Sequence, residues 1–239
     1  MQLGSVVRLA KAQELKQEED KIITDGEAKI WIEPDRARVF LGVETLGKTV
    51  DATREENAIK IKKVMEALKG LNMKGMLIKA PSYNISLVKE PDYDATKAGR
   101  LPRIIGYKVI QHFTVLLKNE DMLTLSKNAG RVIDTALNNG VNIIQEVHFF
   151  KEDDSKDKRN AMILAVKDAV SNAKAIADAA GVSIKDYTLI NSSTGYWRPP
   201  IVTTMRQAFA DEEAGGVPTT IVAGKIAITC NVQLHCSIK

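Results

Sequence analysis

Alternation of apolar and polar side chains dominates the first ordered stretch of the chain. Ala28, Ile30 and Ile32 alternate with Lys29, Trp31 and Glu33, and past Pro34-Asp35 the residues Ala37, Val39, Leu41 and Val43 alternate with Arg36, Arg38, Phe40 and Glu44. A period of two marks strands with one buried face. The pattern predicts a hairpin turning at Pro34-Asp35. The period then lengthens. Ile61, Val64, Met65, Leu68 and Leu71 recur at helical spacing, with Thr49 or Asp51 as N-cap and Gly70 and Gly75 near the end, which predicts a helix over about 51–69. Strands follow over about 76–88, bent at Pro81, and over about 104–118, where Ile105, Tyr107, Val109, Phe113, Val115 and Leu117 share a parity. Pro91, Gly99 and Pro102 break the polar loop between them. A second helix starts near Asp121, carries Leu125, Ala129, Val132, Ile133 and Ala136 on one stripe, and stops at Asn138-Asn139-Gly140. After a strand over about 142–150 comes the longest helix. Ser155 or Asp157 can cap it, Ala161, Leu164, Ala165, Ala169, Ala173, Ile176, Ala177 and Ala180 form an alanine-rich face that suits close approach to a sheet, and Gly181 ends it. Strands at about 186–191 and 220–238 complete the chain. The order β-β-α-β-β-α-β-α-β-β predicts an α+β fold, helices packed on largely antiparallel sheet, readable as two β-α-β-β units (strands two to four and five to seven).

Composition narrows the class. The chain has 239 residues, 44% hydrophobic and 27% charged, which is globular and long enough to bury a sizeable core. A net charge of +4, spread along the chain, lacks the concentrated basic face of a nucleic-acid binder, so no nucleic-acid partner is expected. No apolar run reaches the roughly 18 residues of a membrane-spanning helix, and Arg8 and Lys11 interrupt the apolar stretch near the N-terminus. A soluble chain without a transmembrane segment or signal peptide is expected, its residues 1–23 forming an arm outside the core. Cys230 and Cys236 lie in one strand-like run, roughly 20 Å apart at about 3.3 Å per residue, too far to pair with each other. They share the parity of Ile226, Ile228, Val232, Leu234 and Ile238 and read as small buried hydrophobes.

No catalytic, cofactor or metal signature emerges. His112, His148 and His235 lack the short spacing of a zinc site, although His112 and His235 both face away from the core in strands that could be neighbours. Ser192 and Ser193 are not part of a G-x-S-x-G elbow. Gly224-Lys225 has no glycine at the distance a phosphate loop needs and is followed by Ile226, so it reads as a strand start. Asp92, Asp94, Asp153, Asp154 and Asp157 lack the alternating calcium-loop pattern and read as solvated loops. The segment over 191–220 is unusual. It carries Tyr196-Trp197-Arg198, Met205 and Phe209, residue types enriched at interface hot spots. It serves either as a loop folded over its own core or as a self-association surface with Trp197, Met205 and Phe209 at the contact.

The series Gly26-x-Ala28, Pro34-Asp35-x-Ala37, Gly42-Val43, Asn57, Tyr83, Tyr93, Gly106-Tyr107, Gly140 with Asn142-Ile143-Ile144, Phe149 and Ala180-Gly181 resembles the SIMPL-domain family over about 25–238. The resemblance implies the α+β fold, a SIMPL-like domain over 24–239, export to the periplasm or cell envelope, and homo-oligomers larger than a dimer. It implies a structural or stress-related role, and with no catalytic motif in the chain a non-enzymatic protein is expected. The alternative is a small-molecule-binding or hydrolytic protein with a cleft under the segment 191–220.

Overall fold

The computed structural model describes residues 20–90, 103–197, 219 and 221–239. In chain order these form β1 (Lys21–Ile32), β2 (Arg36–Gly47), α1 (Val50–Gly70), β3 (Leu77–Lys89), β4 (Ile104–Lys118), α2 (Met122–Asn138), β5 (Ile143–Phe150), α3 (Ser155–Ala180), β6 (Ile184–Trp197) and β7 (Ile226–Ile238). The α+β class and the element order match the sequence pattern. β1 starts at Lys21, so residues 21–23, expected in the arm, are part of a strand.

Local chemistry sets the helix ends. Thr49 caps α1, its Oγ1 accepting from the Ala52 N–H at 3.4 Å, and Asp121 caps α2 by accepting from the Thr124 N–H at 2.8 Å. The Thr124 hydroxyl, and after it this N–H, hold the Asp121 carboxyl below the ordinary carboxylate range. The start of α3 uses neither Ser155 nor Asp157. Asp153 accepts from the Ser155 N–H at 3.1 Å, and the Asp154 carbonyl takes the first helical bond from Lys158. α2 and α3 stop alike. Gly140 (φ 115°) and Gly181 (φ 69°) stand at positive φ, and the next N–H, of Val141 or Val182, bonds back to Ala136 or Ala177 at 3.0 Å.

The strands form two sheets, ordered β3-β4-β2-β5 and β1-β7-β6. All pairs in the first are antiparallel. In the second, Ile238 N–H donates to the Asp20 carbonyl and Gln233 Nε2 to Asp25 Oδ1, while Lys239 N–H donates to the Ser183 carbonyl and Asn191 and Ser193 lie beside Asn231 and Gln233. Rising numbers on one strand meet falling numbers on the next, so these pairs are antiparallel too. The expected hairpin at Pro34-Asp35 is therefore corrected: β1 and β2 go to different sheets, because a period of two reports a buried face and not the identity of the paired strand. The expected duplication changes partners as well. β5 joins the sheet of β2, β3 and β4, and β1 takes its place beside β6 and β7.

The chain divides into two compact units. One gathers β2, α1, β3, β4, α2 and β5, with the segment preceding β7. Its core combines Val39, Leu41, Val43, Phe113 and Val115 of the sheet with Val64 and Leu68 of α1 and Leu125, Val132 and Ile133 of α2. Each fully buried side chain of this size contributes about 1.5–3 kcal/mol. Ile105, expected on the core face, is 51% exposed near the far end of the β3–β4 hairpin. Ile221 and Ala223 enter the same core, tied to α2 by Ala223 N–H donating to Ser126 Oγ at 3.0 Å and Thr219 N–H to the Asp134 carboxylate.

The other unit holds β1 to Ala28, α3 from Arg159, β6 to Thr194 and β7 from Thr229. Its buried side chains are small: Ala161, Ala165, Ala169, Ala173 and Ala177 of α3, with Cys230, Val232, Leu234 and Cys236 of β7, whereas Leu164 and Ile176, expected on the same helix face, lie off that i, i+4 stripe and are exposed. The predicted register of β7 holds, both thiols are inside, and burial pushes the Cys236 thiol above its ordinary range.

Candidate functional site

The expected contact residues give little to build on. Trp197 is the last residue of β6, and its side chain, like Met205 and Phe209, lies outside the described residues. The segment 191–220 is corrected at its start: residues 191–197 continue β6 as strand. His112 is on β4 and His235 on β7, strands of separate sheets and so not the neighbouring strands expected, and His148 stacks on Phe150 at 5.6 Å between ring centroids. Among the described residues no group of His, Cys, Asp and Glu is arranged to hold a metal ion.

The acidic residues have structural partners. Asp157 pairs with Lys151 at 2.5 Å, and Asp154 accepts from the Tyr196 hydroxyl at 2.6 Å and from Lys158 at 3.0 Å. The Lys158 ammonium also lies 5.0 Å from the Tyr196 ring centroid. Burial works to raise the Asp154 carboxyl, but the Tyr196 hydroxyl and Lys158 outweigh it and hold it below the carboxylate range. Tyr196, then Asp154, push Lys158 above the lysine range. Asp153 is held low by the Ser155 N–H. Asp92 and Asp94 lie outside the described residues. Lys225 pairs with Glu33 at 3.2 Å immediately before β7, at the strand start the sequence predicts.

One polar depression lies on the exposed face of the three-stranded sheet. It measures about 190 Å³ and is lined by Asp25, Asn191, Ser193, Asn231 and Gln233. Asp25 is on β1 and Ser193 on β6, with β7 between them. Two strand spacings make roughly 10 Å, beyond the reach of a base for a serine nucleophile. The group offers amides and a hydroxyl for hydrogen bonding. Its sequence signal was the alternation of Asn231, Gln233 and His235 with buried Cys230, Val232 and Leu234, but the contribution of β1 and β6 depends on which strands flank β7.

Residues 22–235 match the family described as SIMPL, protein of unknown function (DUF541). The chain belongs to the SIMPL family. It is 25% identical over 240 aligned positions to the 26 kDa periplasmic immunogenic protein of Brucella melitensis biotype 1, covering 98% of this chain and 91% of that one. The same protein of Brucella abortus strain S19 is matched to the same extent, at 25% identity. The uncharacterized protein YggE of Edwardsiella ictaluri is 24% identical over 210 positions, 87% of this chain and 82% of the relative. Among the described residues, no helix of this SIMPL chain is long and apolar enough to cross a membrane.

Proposed function

We infer that this SIMPL chain is a non-enzymatic protein of the cell envelope that works as a homo-oligomer larger than a dimer, with a structural or stress-related role. The envelope location is supported by the names of the Brucella relatives, which call those proteins periplasmic. The observation that carries self-association is an apolar edge. β3 borders the four-stranded sheet, and Tyr83, Ile85 and Leu87 on it, with Ile104 and Ile105 on β4, are between 40% and 51% exposed. A long edge strand with apolar side chains is a template for pairing, and contiguous exposed apolar surface marks interaction sites. Trp197, Met205 and Phe209 are proposed to add to the contact.

Light scattering tests the reading. The native particle should exceed twice the chain mass of 26.3 kDa, and Ile85→Lys with Leu87→Lys should reduce it while leaving far-ultraviolet circular dichroism unchanged. A monodisperse species of 26.3 kDa at micromolar concentration overturns it. A second reading, small-molecule binding at the start of the segment 191–220, is favoured by the amide-lined depression around Asn191, and saturable binding of a small polar ligand abolished by Asn231→Ala would support it.

A further inference from the structure

The face of the four-stranded sheet turned away from the core carries the even-numbered residues of β2 and β4. The register places Leu77, Leu116 and Arg38 in one row across β3, β4 and β2, and Lys79, Thr114 and Phe40 in the next. Arg38, Phe40, Lys79, Thr114 and Leu116 line a depression of about 250 Å³.

Arg38 differs from Arg36, two positions earlier on the same face. Arg36 is neutralised: its guanidinium pairs with Glu152 and with Asp35 at 3.3 Å, and also donates to the Asp35 carbonyl. Arg38 instead lies over two rings, 5.0 Å from the Phe150 centroid and 5.8 Å from that of Phe40. Stacking fixes the guanidinium plane but supplies no counter-charge. Neither Arg38 nor Lys79 is ion-paired among the described residues, and Glu146, opposite Phe40 on β5, pairs with neither. The depression thus combines two cations without counter-ions, an apolar wall and a buried threonine.

A strongly hydrated anion would gain nothing from Phe40 and Leu116, and a neutral apolar molecule would strip water from the cations without replacing it. An acid with a short apolar body satisfies both. The volume lies below the roughly 300–1,000 Å³ of common ligand sites, which limits the guest to on the order of ten non-hydrogen atoms. We propose that this face binds a small amphipathic carboxylate, its anionic end between Arg38 and Lys79 and its apolar body on Phe40 and Leu116.

Calorimetric titration of the full chain with octanoate and with octanol tests this, counted per chain whatever the particle mass. Octanoate should bind saturably. Octanol should bind at least about tenfold more weakly, because it cannot replace a charge-assisted bond. Arg38→Gln should weaken octanoate by about tenfold or more and Lys79→Gln by less. Lys62→Gln, on α1, should leave it unchanged. No saturable binding of octanoate at millimolar concentration, equal binding of octanol, or undiminished binding by folded Arg38→Gln overturns the proposal. If Arg38→Gln does not fold, the octanoate and octanol titrations of the native chain decide.

Discussion

The two units repeat one arrangement with different packing. β3-β4-β2 carries α1, and β6-β7-β1 carries α3, each a hairpin with an earlier strand beside its second member. In each, an asparagine of the helix donates to a carbonyl of that earlier strand: Asn57 to Val43 at 3.1 Å and Asn172 to Asp25 at 3.0 Å. β2, however, is central, paired with both β4 and β5, so α1 rests on large side chains and Asn57 is fully buried between them. β1 is an edge. The bond from Ile238 N–H to the Asp20 carbonyl shows that even-numbered backbone groups of β1 face β7, so those of Asp25 and Glu27 face outward. α3 meets them there, Asn172 on the Asp25 carbonyl and Asp168 accepting from the Glu27 N–H at 2.9 Å. A helix above a central strand packs on side chains. Above an edge strand it can also stand in for the missing neighbour and blunt the edge.

That second role requires close approach, and Gly26 is where it is closest. A Cβ there would lie 2.2 Å from the Ala165 carbonyl oxygen and 2.3 Å from the Ala169 nitrogen, both backbone atoms that cannot rotate aside. Gly26→Val should therefore produce the largest effect, a loss of about 3 kcal/mol or more in urea unfolding. Gly70→Ala, at the end of α1 where an added Cβ meets nothing within 4 Å, should be neutral or stabilising by up to about 1 kcal/mol. Equal midpoints for the native chain and Gly26→Val would show that α3 does not approach β1 as described.

Periodicity made the elements legible and left their pairing hidden. The heptad-like run from Ile61 to Leu71, the helix start near Asp121 and the glycines at 140 and 181 each report a local conformation, and each was readable within a few residues. The departure of β1 from β2 was not, since Ala28, Ile30 and Ile32 alternate in the same way whichever strand lies beside them. The same limit applies to the depression around Asn231, whose residues come from three strands distant in sequence. Arg38 was readable only as a polar position on β2. Its distinction from Arg36 lies in Glu152, which reaches Arg36 alone.

The two asparagines sharpen the comparison at a smaller scale. Asn57 is buried and also donates to Thr45 Oγ1 at 3.2 Å, while its own Oδ1 is buried without a donor. Asn57→Ala should cost about 1–2 kcal/mol, the lost bonds being partly offset by removal of that acceptor. Asn172→Ala, on an exposed helix face, should cost less than about 1 kcal/mol, because water can take over the Asp25 carbonyl. Chemical denaturation of both variants measures the gap. A larger loss for Asn172 would make the edge contact, and not the buried one, the main polar tie between helix and strand.

The smallest effect concerns pH. Asp154 is held below the ordinary carboxylate value of 3.8. A depressed carboxyl contributes stability that is fully present above its unfolded value and is lost as pH falls through the folded one. Lys158 is raised above 10.5, so its contribution is present below that value and fades as pH rises through the raised one. Tyr196 takes part in both shifts and has no counterpart holding Asp153, which depends on the Ser155 N–H. Tyr196→Phe keeps the ring over Lys158 and deletes the hydroxyl bond to Asp154. The variant should therefore lose Tm slightly near neutrality and show a flatter decline toward about pH 3 than the native chain, the two curves converging once Asp154 is protonated. Thermal melts across that acid range measure the difference. Parallel curves with a constant offset would mean that the hydroxyl stabilises the start of α3 without being linked to the Asp154 proton.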